Sequence, residues 1–179
     1  WEDGGNHYMQ RYSTHEFFRG QEGDLWKPQV ELPELPPVVF ERPGRWPLQD
    51  EVNRQHIRQE GDWPMHRTVS AGLEFLERNH QANNWFLQIE TFDPHEPFYA
   101  PQKYRDLFKH DFITSRADWP PYGRTDFFGF DEETVSQIRA EYLALLAFCD
   151  AQLGRLLDAF DEKGLWEDTL LIVNTDHGF

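Results

Sequence analysis

Apolar positions in this chain change their spacing from one region to the next, and each spacing predicts a different element. Between Asp131 and Lys163, the residues Val135, Ile138, Tyr142, Leu146, Cys149, Leu153, Leu156 and Phe160 recur at steps of three or four. That period marks one face of a long amphipathic helix. Asp131, Glu132 and Glu133 lie in its first turn, where acids complement the helix dipole, and Gly164 supplies a left-handed end. A second helix is predicted from Thr68 to His80, through Val69, Leu73 and Leu76, and shorter ones over 50–60 and from Gln102 to Phe108. Two short apolar runs, Trp85 to Thr91 and Thr169 to Thr175, are bounded by turn signals and predict buried strands. Strand, long helix and strand in that order predict an α/β fold containing a right-handed βαβ crossover.

The first 64 residues lack this regularity. Pro33, Pro36 and Pro37 fix extended backbone and withhold ladder donors, and the run from Pro28 through Pro47 is rich in proline and charge. The chain therefore divides into an irregular Pro/Trp-rich segment over 1–64, laid on the rest, and an α/β portion over 65–179. A structureless stretch of that length suits a larger body around it. Trp1 in place of Met, with no basic-then-apolar leader, leads to the expectation of either a removed start or a chain cut from something longer. Phe179, a few residues past the second strand-like run, favours the cut.

Composition narrows the partners. The 179 residues carry a formal charge of −15, from 32 acidic and 17 basic side chains, which disfavours a nucleic-acid backbone. A small anionic substrate stays open, because a bound cation reverses the local field. No apolar run approaches the ~20 residues that span a bilayer. The aromatic share of 16% argues for a folded chain. Cys149, the single cysteine, excludes an internal disulfide and any multi-cysteine zinc site.

Ligands of open α/β sheets gather beyond the carboxyl ends of the strands. The first predicted strand runs out into Asp93-Pro94-His95-Glu96-Pro97, and the second into Asp176-His177-Gly178. Parallel neighbouring strands would turn Asp93, His95, Asp176 and His177 toward one cleft. Asp176 offers a hard oxygen and His177 a borderline nitrogen to a divalent cation. His95 can donate to an anionic oxygen. By pattern alone the same residues also suit a strand-end turn capped by Asp176, a surface-loop His95 and an Asp93 that holds the Asp-Pro turn.

The segment from Phe86 to Phe98, with Pro101, Tyr104 and Leu107, strongly resembles the sulfatases of the alkaline phosphatase superfamily. So does the run from the long helix (Asp150, Leu153, Gly154, Leu156) through Gly164-Leu165 and Asp168-Thr169-Leu170 to Thr175-Asp176-His177-Gly178. Glu16 to Gly23 looks like an upstream segment of some bacterial members. The resemblance implies part of an alkaline-phosphatase-like mixed sheet with flanking helices. It also implies metal-assisted hydrolysis of a sulfate ester by a formylglycine, made from Cys or Ser, whose hydrate attacks sulfur. Asp176 and His177 would be ligands of one divalent cation, calcium first, with manganese or zinc also suited. His95 would be the catalytic and substrate-binding histidine that touches the sulfate or the leaving oxygen.

His in place of Asn after the metal-binding Asp occurs in members that hydrolyse phosphonate monoesters and phosphodiesters, so His177 keeps that substrate class open. The formylglycine motif, Cys or Ser followed by x-Pro-x-Arg, is missing: Asp150-Ala151-Gln152-Leu153 follows Cys149, whose place on the apolar stripe predicts a core thiol. No Asp-Asp pair stands near the start, and the basic residue expected after Asp-His-Gly would fall beyond Phe179. Nucleophile and remaining ligands are therefore expected outside this chain, which alone should hydrolyse almost nothing. A phosphodiesterase or phosphotransferase with a Thr or Ser nucleophile, and a noncatalytic relative, are the other readings. The Pro-rich stretch and residues 110–130, with Trp119 to Gly123, are the loops expected to choose the leaving group.

Overall fold

The computed structural model describes residues 9–108 and 115–178. Residues 1–8 of the irregular stretch, residues 110–114 of the expected leaving-group loop and Phe179 lie outside the described residues. Five α-helices follow one another: α1 (Trp46–Arg54), α2 (Pro64–Asn79), α3 (Gln102–Arg105), α4 (Thr125–Phe128) and α5 (Glu132–Lys163).

Helix α5 forms where its apolar period ends and begins on the expected caps. The Asp131 carboxylate accepts from the Thr134 amide at 2.8 Å, and Gly164 takes φ 66°, letting its own amide reach back to the last turn. Its buried face takes in most of the apolar stripe, with Ile138 and Phe160 in the core and Tyr142, Cys149 and Leu156 packed against it. Leu146 of the stripe stands 40% exposed, whereas Gln137, Glu141 and Gln152 are buried. Each of these polar residues has a partner that satisfies it. Gln137 donates to the Ser115 carbonyl at 3.2 Å, Glu141 accepts twice from Arg105 of α3, and Gln152 accepts from Arg155 at 2.7 Å. Polar partners in the neighbouring elements decide the face, and a stripe of apolar letters does not reveal them. Cys149 lies half-buried beside this core, and burial pushes its thiol well above the ordinary range. That fits a packing thiol and leaves it a poor nucleophile.

Two apolar clusters organise the chain. Trp63, Met65, Phe98, Tyr104, Ala117, Ile138, Leu145 and Phe148 make the larger, drawing together α2, α3, α5 and the loops around Phe98 and Ala117. Leu76, Ala159, Phe160 and Leu165 make the smaller one, between the far ends of α2 and α5. Trp85, Leu87 and Leu171 pack against it.

The expected α/β architecture is not found. The described residues are helical with no sheet, and their single β contact is an isolated parallel bridge between Val38 and Arg116. Segments 85–91 and 169–175 do lie against the α2–α5 layer, but neither joins a ladder, so neither is a strand and the βαβ crossover is not formed. Alternation shows why the letters misled. One side of each segment meets the helices while Phe86, Leu170, Ile172 and Val173 stand 64–83% exposed, so apolar content marks an extended run without supplying its partner. Contact with α2 is close: a Cβ on Gly72 would fall 2.3 Å from Ile89 Cδ1, so any side chain there would push the Ile89 side chain aside.

The described residues ahead of α2 are tied down by side chains. Buried Asn53 donates to the Asp24 carbonyl at 2.8 Å and accepts from Gln49 and the Lys27 amide, joining α1 to the loop ahead of it. Arg54, at the end of α1, lies between the carboxylates of Asp50 (2.7 Å) and Asp118 (2.6 Å), with its guanidinium 4.3 Å above the Tyr99 ring. The Asp118 carbonyl in turn accepts from the Phe98 amide at 2.6 Å, so this buried network ends two residues from Glu96. Among the described residues no helix is long and apolar enough to cross a membrane.

Candidate functional site

His95 sits in a turn between Pro94 and Pro97, its amide donating to the Phe92 carbonyl at 3.2 Å and its ring 4.5 Å from that of Phe92. Nδ1 lies 2.7 Å from the Glu96 carbonyl, which only accepts, so Nδ1 carries the hydrogen. Nε2 lies 3.2 Å from the Tyr122 hydroxyl. Glu96 is 2% exposed, and its Oε2 accepts from that same hydroxyl at 2.9 Å. Arg42 approaches the other carboxylate oxygen at 4.0 Å, while donating to the Pro120 carbonyl at 2.6 Å and stacking over Trp119.

His177 approaches from the other end of the chain. Its ring centroid is 6.0 Å from that of His95, edge to face. Its Nδ1 lies 3.0 Å from the Gly178 carbonyl and so carries the hydrogen, which leaves the Nε2 lone pair for a ligand. Nε2 is 3.8 Å from Asp176 Oδ2, and Asp176 Oδ1 accepts from the His177 amide at 3.0 Å. Both side chains open to solvent. This donor set, one carboxylate and one imidazole nitrogen with the right tautomer, fits part of a cation's shell. It does not complete one: among the described residues no group of three or more His, Cys, Asp or Glu side chains is placed to hold a metal ion.

Asp93 departs from the cleft expected for it. Its carboxyl is buried behind the His95 turn, with Oδ2 lacking a hydrogen-bond partner, and burial pushes it up to about 7. A hollow of about 20 Å³ lies there, bounded by Gln21, Asp50, Arg54, Asp93 and Tyr99, far too small for an ester substrate. The rings of His95 and His177 face open surface instead.

Two neighbours of His95 escaped the sequence pattern. Tyr122 lies in the Trp119–Gly123 stretch, which by sequence suits a pocket lining or a packed surface loop, and its approach to Nε2 had no signal there. Glu22 takes φ 52° in the segment 16–23, and burial raises its carboxyl against the opposing pull of His95. The Gln21-Glu22-Gly23 run was visible in the sequence, but the electrostatic influence of His95 on Glu22 had no local signal.

Comparison with known proteins identifies the family. The chain matches the sequence model of the sulfatase family over residues 7–179. It belongs to the sulfatase family. It is 27% identical over 155 residues to a sulfatase of Formosa agariphila, an alignment covering 70% of this chain and 30% of that protein. An arylsulfatase of Clostridium perfringens is 25% identical, over 71% of this chain and 29% of its own length. The multifunctional alkaline phosphatase superfamily protein PehA of Trinickia caryophylli is 31% identical, over 62% and 26%. The chain thus spans less than a third of the curated relatives it matches. No solved structure matches it.

Proposed function

We propose that the protein containing this chain hydrolyses sulfate esters, with a formylglycine nucleophile and the remaining metal ligands supplied outside these 179 residues. The observation that carries the reading is the 6.0 Å approach of the His95 and His177 rings, which sets the two sulfatase-like motifs side by side. Asp176 and His177 hold one divalent cation, through a carboxylate oxygen and Nε2. Calcium is the first choice, and manganese or zinc also suit mixed oxygen and nitrogen ligation. When bound, the cation polarises the ester oxygens and stabilises charge developing on them. His95, as imidazolium, contacts the sulfate or the leaving oxygen through Nε2–H and supplies that proton there. With Nδ1–H given to the Glu96 carbonyl, Nε2–H is the donor on the other side of the ring.

The test is made on the full-length protein with an aryl sulfate. His95→Ala is expected to lower kcat about a hundredfold, and a variant with unchanged kcat would remove His95 from the reaction. In calorimetry with Ca²⁺ and Mn²⁺, Asp176→Ala is expected to weaken binding by about tenfold or more. Equal affinity in both proteins would assign the cation elsewhere, and no binding in either would favour a noncatalytic relative.

A second reading, phosphonate monoester or phosphodiester hydrolysis, is favoured by His177 in the position after Asp176. The ratio of kcat/KM for an aryl sulfate to that for a phenyl phosphonate ester separates the two.

A further inference from the structure

Glu96 follows His95 in the chain, yet one residue faces open surface while the other is buried. A buried carboxylate is costly unless hydrogen-bonded or paired, so its partners define what it does. The shortest is the Tyr122 hydroxyl at 2.9 Å; Nδ1 of His95 is 3.3 Å away and Arg42 Nη2 is 4.0 Å away. Tyr122 has one hydrogen to give. Directed to the Glu96 carboxylate, it leaves the phenolic oxygen to accept from Nε2–H of the His95 imidazolium, 3.2 Å away. Burial, reinforced by the Glu96 carboxylate, pushes the Tyr122 phenol up to about 12, so it keeps that hydrogen through the neutral range.

The loop bearing Tyr122 is itself held in place. Gly123 takes φ 145°, and a Cβ there would meet the Phe128 ring at 2.7 Å, so α4 presses on the loop from behind. On the other side Arg42 clamps the Pro120 carbonyl, and the Phe98 amide donates to Asp118. A 59%-exposed tyrosine is thus pinned with its hydroxyl between a buried carboxylate and a histidine nitrogen. Packing alone gives no reason for that hydroxyl, since the phenol ring stays largely outside the core.

We propose that Tyr122, oriented by buried Glu96, is a positioning residue that fixes the His95 ring by accepting from Nε2–H, holding that hydrogen where an ester oxygen shares it or takes it over. The proposal deepens, and rests on, the reading of His95 as the substrate-contacting histidine. The Glu96 carbonyl holds one side of the ring and the Tyr122 hydroxyl the other, which leaves a single orientation. A misplaced reacting group costs rate far more than binding, so the effect of losing Tyr122 falls on kcat.

Tyr122→Phe removes one oxygen from a largely exposed side chain; losing its hydrogen bond to buried Glu96 should lower the thermal midpoint by about a few degrees and leave the protein folded. In the full-length protein it is expected to lower kcat for an aryl sulfate about tenfold with little change in KM. In a His95→Ala background the same substitution should cost nothing further, because the group it positions is gone. An equal loss in both backgrounds would overturn the proposal. A second readout does not depend on turnover. With ¹⁵N-labelled histidine, Tyr122→Phe should move the Nε2 resonance of His95 and leave Nδ1, bonded to the Glu96 carbonyl, in place. An unmoved Nε2 signal would show that Tyr122 does not hold the ring. Should His95→Ala keep full activity, the catalytic reading of His95 falls, and the nitrogen shifts still decide whether Tyr122 positions it.

Discussion

Replacing Arg54 with alanine is expected to cost about 3–5 kcal/mol of unfolding free energy, the largest loss of stability among the substitutions considered. Arg54 is 8% exposed, and so nearly are both its carboxylate partners, Asp50 at 4% and Asp118 at 6%. Its Nη1 donates to Asp118 at 2.6 Å; its Nε is 2.7 Å from Asp50, an ion pair whose angle lies off the hydrogen-bond line. Alanine leaves two carboxylates buried without their cation and strips the Tyr99 ring of the charge above it. The pair need not be a net source of stability relative to an apolar core, but breaking it from one side exposes the full desolvation cost of what remains. Denaturant unfolding of the two proteins measures the difference, and a change below about 1 kcal/mol would mean that water reaches these carboxylates. Since Asp118 also holds the Phe98 amide, the same substitution should loosen the His95 turn.

The second large effect is one of pH. Burial raises the Asp93 carboxyl to about 7, partly opposed by a hydrogen bond from Gln21, and raises Asp50 to about 6 against the pull of Arg54. In the unfolded chain both titrate near the ordinary carboxylate value of about 4. A folded pKa above the unfolded one means that the folded state holds its proton more tightly. The resulting stability is present in full below about pH 4 and is lost as pH rises through about 6 for Asp50 and about 7 for Asp93. For Asp93, roughly three decades of proton affinity at about 1.4 kcal/mol each give a swing of about 4 kcal/mol. The thermal midpoint should therefore fall between pH 5 and about 8. Asp93→Asn keeps a neutral group that can bond Gln21 and should abolish most of that fall, leaving the variant more stable than the parent at pH 8 and no more stable at pH 4. Parallel curves for both proteins would mean that Asp93 is ionised and solvated when folded.

How far the sequence reached can be judged residue by residue. The span of α5 was legible because its determinants are local: a three-and-four period, an Asp131 cap and a Gly164 stop act within a turn or two of backbone. The end of α2 was legible for the same reason, whereas its start at Pro64 precedes the expected Thr68, and α1 begins at Trp46, earlier than expected. The buried face of α5 was read only in its apolar part, since Gln137, Glu141 and Gln152 go inside where Ser115, Arg105 and Arg155 meet them. The expected strands failed on the same ground. A helix closes its hydrogen bonds within itself, but an extended run becomes a strand only through a neighbour, and segments 85–91 and 169–175 find none among the described residues.

The family and its motif residues were carried by the sequence by itself, because Asp-Pro-His-Glu-Pro and Thr-Asp-His-Gly are contiguous words whose order survives without a structure. Tertiary structure alone decided what surrounds them. It set His95 6.0 Å from His177, placed Asp93 behind the turn with its carboxyl buried, and brought Tyr122 from a proline-rich loop to the nitrogen of His95. Each of those outcomes depends on side chains far apart in the chain sharing one small, partly dry volume. Burial, pairing and ring tautomer are properties of that volume, and no single segment contains them.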